Sequence, residues 1–388
     1  MNIDGILSAF AGLGLFFVGL SIFSDNLKSF GKPYVRPIVE ACTGSDWRAM
    51  VGGILAGAVT NSGKTVTFSL TALISSGLLD VRRALPIVVG GSLGSALLVL
   101  WTSFDLELID LIMLGIAGLI FQFGNSKSSR TKFIAGTLLG LGLIFYGLTL
   151  LKSGASEFKE SPAFVAFLAN THGYWFLALL LGAVGAFVTQ SGSTISIIAM
   201  SFVGAGLLNF DETVMFIYGT NIGSGVSTAL LGLTVAGAAR QLVMFHAGVK
   251  IVGAIVLVPL LYLESLAGVP SVKALAAVFT SDVSSQLGTI YIIYEVASAL
   301  LLALVLSPTA RLLAKLWPAS KEDILARLHF VHRATGPDVL RSIELIKKEH
   351  LRLIRRTPRY FDTIRKNLHE QHRIPASVLH DSNKAVQD

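Results

Sequence analysis

Two short polar stretches interrupt an otherwise apolar sequence, and both carry residue types that bind small ions. Residues 60–65 read Thr-Asn-Ser-Gly-Lys-Thr and residues 189–194 read Thr-Gln-Ser-Gly-Ser-Thr; we call them the first and second polar breaks. A break that ends one half-helix and begins another presents hydroxyls, free N–H groups and the positive end of a helix dipole, which suit an oxyanion. The carbonyl end of the preceding half-helix, with the side-chain oxygen of Asn61 or Gln190, suits a small cation.

Lys64, inside the first polar break, is the charged residue whose position most needs a physical reason. A lysine in an apolar segment costs about 3 kcal/mol on insertion scales, so it needs a carboxylate, carbonyl groups or an anionic ligand. One hypothesis is that its ammonium contacts a bound anion or occupies a cation position. The alternative is that it snorkels to the interface or pairs with Asp25, Asp105 or Asp110.

Residues 58–65 also satisfy the loose Ala/Gly-x-x-x-x-Gly-Lys-Thr pattern of a nucleotide-binding loop. That loop works between a buried strand and a helix of a soluble α/β domain. Here the glycine-rich residues 52–57 make a poor strand, and the equivalent residues 187–194 lack the lysine. We therefore predict no ATP binding. Because no metal-ligand spacing or nucleophile–base set is present either, the sequence does not indicate an enzyme.

The composition places both breaks in a membrane. Of the 388 residues, 53% are hydrophobic and only 14% are charged, whereas a soluble domain carries about 25% charged residues. A single cysteine excludes a disulfide framework. The apolar runs beside the breaks, at 50–59, 66–79, 175–188 and 195–208, are too short to span a bilayer as single helices. The N-terminal run, residues 5–22, lacks a charged n-region and a cleavage site, so we expect a retained membrane segment.

The chain repeats itself at a spacing of about 129 residues. Residues 60–65, 76–79 and 90–95 match residues 189–194, 205–208 and 219–224 at a shift of 129, and 13–20 match 141–148 at 128. Duplicated halves with broken apolar segments at corresponding places are typical of secondary transporters. We predict an all-α polytopic membrane protein with two repeats in inverted orientation, each containing a broken, re-entrant helical hairpin. The predicted divisions are 1–125 for the first repeat and 126–318 for the second repeat with its closing helices.

Residues 319–388 form a third predicted division, a basic helical tail with 14 of the 31 Lys and Arg residues. Because Arg311 and Lys315 directly precede it, the positive-inside rule places the tail in the cytoplasm. The arginines at 352–359 could suit a nucleic acid. A solvated helix near an anionic inner leaflet is the favoured interpretation, so no nucleic-acid partner is predicted.

The paired breaks resemble the sodium-dependent phosphate cotransporters of the type II family and their bacterial relatives. The resemblance lies in residues 190–194, close to the family's Gln-Ser-Ser-Ser-Thr motif, in the Gly-Leu-Phe-like openings at Gly14 and Gly142, and in a turn expected at residues 219–223. It covers roughly residues 8–316. It implies symport of inorganic phosphate with sodium across the plasma (cell inner) membrane by alternating access, with sodium as the coupling ion and no other cofactor.

The resemblance also implies a site. The expected substrate- and ion-binding residues are Asn61, Ser62, Gly63, Lys64, Thr65, Gln190, Ser191, Gly192, Ser193, Thr194, Thr220 and Asn221, with sodium at Gln190, Ser191 and Asn221. The first break departs from the family pattern, because Asn61 replaces Gln and both Gly63 and Lys64 replace Ser. Coupling could therefore use fewer sodium ions, another ion or none.

Alternatives to sodium-coupled phosphate transport stay open at this stage. The chain could carry another oxyanion such as sulfate, arsenate or a phosphonate, or could be a membrane sensor that signals through its tail, and it could form a homo-oligomer. Among other polar residues, His246 and Lys250 lie one helical turn apart and could face the cavity or pack against a polar neighbour. Glu295, an intramembrane carboxylate, is a functional candidate that could instead pair with Lys250 or Lys64.

Overall fold

The computed structural model describes residues 3–42, 45–76, 79–104, 107–123, 129–157, 173–304, 306–320, 343–352 and 354–355. These residues are helical and contain no strand, which confirms the predicted all-α fold. The helices of the membrane part are α1 Ile3–Cys42, α2 Asp46–Thr60, α3 Gly63–Ser75, α4 Val81–Ser95, α5 Leu97–Thr102, α6 Glu107–Phe123, α7 Ser129–Ser156, α8 Trp175–Thr189, α9 Gly192–Gly204, α10 Phe210–Gly232, α11 Gly237–Ala267, α12 Val272–Phe279, α13 Val283–Leu304 and α14 Leu306–Leu316.

Six helical stretches among these residues are long and apolar enough to cross a membrane, by length and composition. They are Asp4–Leu27, Val81–Thr102, Arg130–Ser156, Phe210–Gly232, Gly237–Ala267 and Val283–Leu302. The protein is therefore a polytopic membrane protein, as its composition predicts.

Each polar break separates two half-length helices. In the first break, α2 (15 residues) ends at Thr60 and α3 (13 residues) begins at Gly63. In the second, α8 (15 residues) ends at Thr189 and α9 (13 residues) begins at Gly192. At 1.5 Å per residue these helices are only about 20 Å long, shorter than a hydrocarbon core of about 30 Å. Both breaks therefore suit a position at membrane depth.

The half-helices pack closely against the next helix of their own repeat through glycine. A Cβ added at Gly90 of α4 would overlap the carbonyl oxygen of Met50 on α2. In the second repeat, a Cβ at Gly219 of α10 would overlap the carbonyl oxygen of Leu179 on α8. Gly219 lies 129 positions after Gly90, and Leu179 lies 129 positions after Met50. The sequence match between the repeats therefore corresponds to the same packing contact.

Helices α1 and α7 carry the matching segments 13–20 and 141–148 and pack directly on each other. A Cβ at Gly12 would lie 2.6 Å from the carbonyl oxygen of Gly147, and one at Gly19 would lie 2.8 Å from that of Gly140. Because the lower number on α1 pairs with the higher number on α7, the two helices run antiparallel. Inverted repeats require opposite directions for such equivalent helices; inversion of the whole repeats stays a prediction.

The prediction of a turn at residues 219–223 is wrong. These residues lie inside the continuous helix α10, Phe210–Gly232. Glycine occupies positions 219 and 223 because a Cβ atom at either position would overlap the carbonyl oxygen of Leu179 or Ala183 on α8. The glycines thus allow close helix packing, and the backbone does not leave the helix.

The chain divides into two compact units, Met1–Leu325 and Ala326–Asp388. Both predicted repeats lie in the first unit, and the predicted boundary between them, at 125 and 126, falls outside the described residues. In the second unit, residues 343–352 are helical, with a Lys348–Glu344 ion pair one turn apart (2.7 Å). Apart from residues 319–320 and 354–355, the rest of the tail lies outside the described residues, and its membrane side and its role stay predictions.

Candidate functional site at the two polar breaks

Both breaks have the same local geometry. Asn61 and Gln190 adopt left-handed backbone angles (φ 49° and 56°), and they are the non-glycine residues with positive φ in the described part of the chain. The next residue caps the second half-helix, with the hydroxyl of Ser62 accepting a bond from the N–H of Thr65 (3.2 Å) and that of Ser191 from the N–H of Thr194 (3.3 Å). Left-handed angles are uncommon outside glycine, and here they end the first half-helix of each break.

The two breaks contact each other across the repeats. The Lys64 ammonium donates a hydrogen bond to the backbone carbonyl of Gln190 (2.7 Å) and another to the Ser227 hydroxyl on α10 (2.8 Å). The lysine of the first break therefore lies at the carbonyl end of the half-helix that precedes the second break. This is where the sequence analysis predicts a small cation.

A cavity of about 50 Å³ lies where the breaks meet. This is several times the 10–15 Å³ that one water molecule requires. Eight of its lining residues are predicted site residues: Asn61, Ser62, Gly63, Lys64, Gln190, Ser191, Gly192 and Ser193. The cavity is thus built from both breaks, at the N-termini of α3 and α9.

Helix α11 closes the cavity with two polar residues one turn apart. His246 and Lys250 both line it, and both also bond polar neighbours, so the two interpretations hold together. The Nδ1 atom of His246 lies 3.1 Å from the Thr67 hydroxyl, and this histidine is buried. The Lys250 ammonium donates to the Asn221 side-chain oxygen (3.0 Å) and forms an ion pair with Glu295 on α13.

Buried charges at this site do not cancel. The Lys250–Glu295 pair is neutral as a unit, and its carboxylate side chain is fully buried. No carboxylate among the described residues pairs with Lys64; Asp25 contacts Ser21, and the side chains of Asp105 and Asp110 lie outside the described part. Among described groups, Lys64 therefore leaves the cavity with an excess positive charge, which favours an anion.

A family profile described as Na+/Pi-cotransporter matches residues 15–153 and 158–262, more than half of the sequence. The chain belongs to the Na+/Pi-cotransporter family. No solved structure matches it.

Three bacterial relatives of the chain are informative. The "Putative inorganic phosphate export protein YjbB" of Escherichia coli K12 is 27% identical over 215 residues, which cover 55% of this chain and 39% of that protein. The protein of the same name in Salmonella typhimurium is 27% identical over 214 residues, with the same coverage. "Uncharacterized protein YqeW" of Bacillus subtilis is 23% identical over 274 residues, covering 69% of this chain and 88% of that protein. The chain thus matches well under half the length of the two proteins named for phosphate export.

Four predicted site residues of this Na+/Pi-cotransporter family member lie behind the cavity wall. The backbone N–H groups of Thr65 and Thr194 donate the cap bonds, and the Thr194 hydroxyl also bonds that of Ser191 (2.7 Å). Thr220 is fully buried and its hydroxyl bonds the Ser196 hydroxyl (2.7 Å). The side-chain oxygen of Asn221 accepts a hydrogen bond from the Lys250 ammonium. These four residues are not among the cavity-lining residues. Thr65, Thr194 and Asn221 bond lining residues, whereas Thr220 bonds Ser196, which does not line the cavity.

Three lining residues were missed by the sequence reasoning: Ser95, Ser224 and Tyr291. The two serines are the last residues of the matching blocks 90–95 and 219–224, so the repeat carried a signal for them. Tyr291 lies on α13, outside both matched blocks, and only the tertiary structure brings it to the breaks.

There is little room for a side chain at the first residue of both second half-helices. A Cβ at Gly63 would lie 2.9 Å from the His246 ring, and one at Gly192 would lie 3.0 Å from the Thr220 carbonyl oxygen. A serine at position 63, as in the family motif, would therefore displace His246. The glycine and the histidine together let α3 approach α11.

Proposed function

We propose that this protein transports inorganic phosphate across the membrane by alternating access, with the anion bound between the two polar breaks. The observation that carries the proposal is the convergence of both breaks on one cavity. Two helix N-termini, the hydroxyls of Ser62, Ser191 and Ser193 and the ammonium groups of Lys64 and Lys250 surround this cavity. Hydroxyls, N–H dipoles and ammonium groups together are the donors that phosphate oxygens need.

The ammonium groups retain donor capacity for such an anion. Each lysine carries three N–H donors. Lys64 uses two on Gln190 and Ser227, and Lys250 uses two on Asn221 and Glu295. One donor from each lysine is therefore available to an anion in the cavity. The name of the Escherichia coli relative, which refers to phosphate export, also supports phosphate as the substrate.

We further propose that transport is coupled to sodium, but with fewer sodium ions than two complete breaks would bind. Carbonyl ends of broken helices coordinate sodium in secondary transporters. At the second break this carbonyl, from Gln190, is already bonded to the Lys64 ammonium. Lys64 thus acts as a built-in cation at the second break. The residue equivalent to Lys64 in the second break, Ser193, is uncharged, so we assign the remaining sodium ion to the carbonyl end of α2 at Asn61.

Fewer sodium ions change the charge that moves with phosphate. A phosphate dianion accompanied by one sodium ion carries one net negative charge. An inside-negative potential of 100 mV then opposes its inward movement by about 2.3 kcal/mol. The direction of net flux should consequently depend on the membrane potential, and a strongly negative interior favours efflux.

The test is phosphate flux in proteoliposomes that contain the full chain. We expect accumulation of labelled phosphate above that of protein-free liposomes, changed by the sodium gradient and by a potassium-diffusion potential. Excess unlabelled sulfate or arsenate tests the competing oxyanions. Ser193→Ala should weaken transport, while Val188→Ala, exposed on α8, is the matched control. Absence of phosphate flux under every gradient would refute the proposal and favour a membrane sensor.

A further inference from the structure

A second and larger cavity, of about 520 Å³, lies between α5, α7, α9 and α13. It shares no lining residue with the cavity at the breaks. Its lining residues are Thr102, Ser103, Phe104, Phe145, Leu148, Thr149, Lys152, Ser153, Ser156, Ile197, Met200, Ser201, Gly204, Asp282 and Ser284. Nine of these carry hydroxyl or charged side chains, so much of the cavity wall is polar although the helices around it are apolar.

This cavity is open at one end and closed at the other. Lys152, Ser153 and Asp282 are exposed and lie near the ends of α7 and α13. At the other end, Phe145 and Ile197 are buried, with 5% and 1% of their surface exposed. Exposure thus falls from the helix ends towards the protein core.

Helix α9 connects the two cavities. Ser193, in its first turn, lines the cavity at the breaks, and Ile197, Ser201 and Gly204 line the larger one. Positions separated by three and four residues lie on one face of a helix. Ile197 is four residues beyond Ser193, an axial distance of about 6 Å. One turn of α9, with the buried Ile197 side chain, therefore separates the two cavities.

The open end carries one side chain of each charge, Lys152 and Asp282. Asp282 is engaged at the start of α13, where its carboxylate accepts a bond from the N–H of Ser285 (2.8 Å). Lys152 has no carboxylate partner among the described residues, and its ammonium lies beside Gly204 at the end of α9. The hydroxyls of Thr102, Ser103 and Ser156 donate to backbone carbonyls three residues earlier and keep acceptor lone pairs that water can fill, so the cavity suits a water-filled space.

We propose that this cavity is the aqueous vestibule through which phosphate moves between one membrane face and the polar breaks, and that Ile197 closes its inner end in the state described here. The proposal rests on the proposed phosphate transport and adds the route and its gate. Lys152, at the mouth, raises the local anion concentration.

The test introduces a single cysteine in the vestibule. Cys42 is the one native cysteine, so Cys42→Ala gives a background that a thiol reagent does not modify. Ser201→Cys in this background should react with a membrane-impermeant, negatively charged methanethiosulfonate from one side of the membrane only. Modification should abolish most phosphate flux. Val188→Cys is the control, since Val188 is 72% exposed on the apolar face of α8 and should stay unmodified.

The outcomes separate the vestibule from the transport proposal. No modification of Ser201→Cys from either side, or complete modification with unchanged phosphate flux, would overturn the vestibule. If the Cys42→Ala parent moves no phosphate although wild-type protein does, Cys42→Ser is used as the background. If the wild-type protein moves no phosphate, both the proposed transport function and the proposed passage of phosphate through the cavity are refuted. The labelling of Ser201→Cys still decides whether the cavity is open to water.

As a second readout, Lys152→Gln should raise the KM for phosphate several-fold with little change in kcat, more strongly at low than at high ionic strength. An equal KM for Lys152→Gln and wild type at low ionic strength would remove Lys152 from the proposal.

Discussion

Replacing Lys64 by serine tests whether a side-chain ammonium stands in for a coupling ion. Serine is the residue at the equivalent position of the second break, Ser193, so the substitution makes the two breaks alike. It removes the ammonium that donates to the Gln190 carbonyl (2.7 Å) and the Ser227 hydroxyl (2.8 Å). The carbonyl end of α8 then has room for a sodium ion.

The size of the effect follows from these two bonds. Hydrogen bonds to charged groups contribute about 1.5–3 kcal/mol, and a buried acceptor without a donor costs about 1–3 kcal/mol. Since Gln190 is exposed and Ser227 is buried, we expect Lys64→Ser in sodium-free buffer to lose about 1–3 kcal/mol of unfolding free energy. Sodium at one hundred times its Kd would return about 2.7 kcal/mol. The variant should therefore be stabilised by sodium much more than wild type is.

Two measurements check this prediction. Thermal unfolding in detergent, with sodium replaced by choline, gives the sodium-dependent stabilisation. Parallel fluxes of labelled sodium and labelled phosphate in proteoliposomes give the ion ratio, which should rise by one sodium per phosphate in Lys64→Ser. Lys315→Ser, in the exposed last turn of α14, controls for the loss of one positive charge. Equal sodium dependence and equal flux ratio in Lys64→Ser and wild type would refute the role of Lys64 as a cation.

Other predictions concern the charge pair, the helix packing and the tail. Lys250→Met leaves the buried Glu295 carboxylate unpaired and should cost about 3–5 kcal/mol in thermal unfolding, whereas the double variant with Glu295→Gln should regain much of this stability. The double variant should still fail to transport phosphate. Gly90→Ala forces α4 away from α2 and should lower both folded yield and flux, while Gly115→Ala, with nothing within 4 Å of the added Cβ, should leave both unchanged. Deletion of residues 320–388 should retain phosphate binding, measured by equilibrium dialysis; loss of binding with the membrane part folded would contradict this.

The sequence alone determined the class of protein, the repeat and the positions of the helix breaks. These features are local, because hydropathy fixes which segments enter a membrane and because Asn, Gln, Ser and Gly interrupt apolar helices at particular positions. Eight cavity-lining residues, including Asn61 and Gln190, followed from the two breaks. The packing contacts of Gly90 and Gly219 explain why the repeat extends beyond the breaks themselves.

Tertiary structure decided what the sequence left open. The partners of Lys64 are 126 and 163 positions away in the chain, and that of Lys250 on α13 is 45 positions away. Composition and periodicity carry no information on such distant pairs. The expected turn at 219–223 was wrong for the same reason, because close packing on α8 and a bend in the backbone both require glycine. Only the assembled helices show that the glycines serve close packing and not a bend. Only they show that Lys64 lies at the carbonyl end of the helix before the second break.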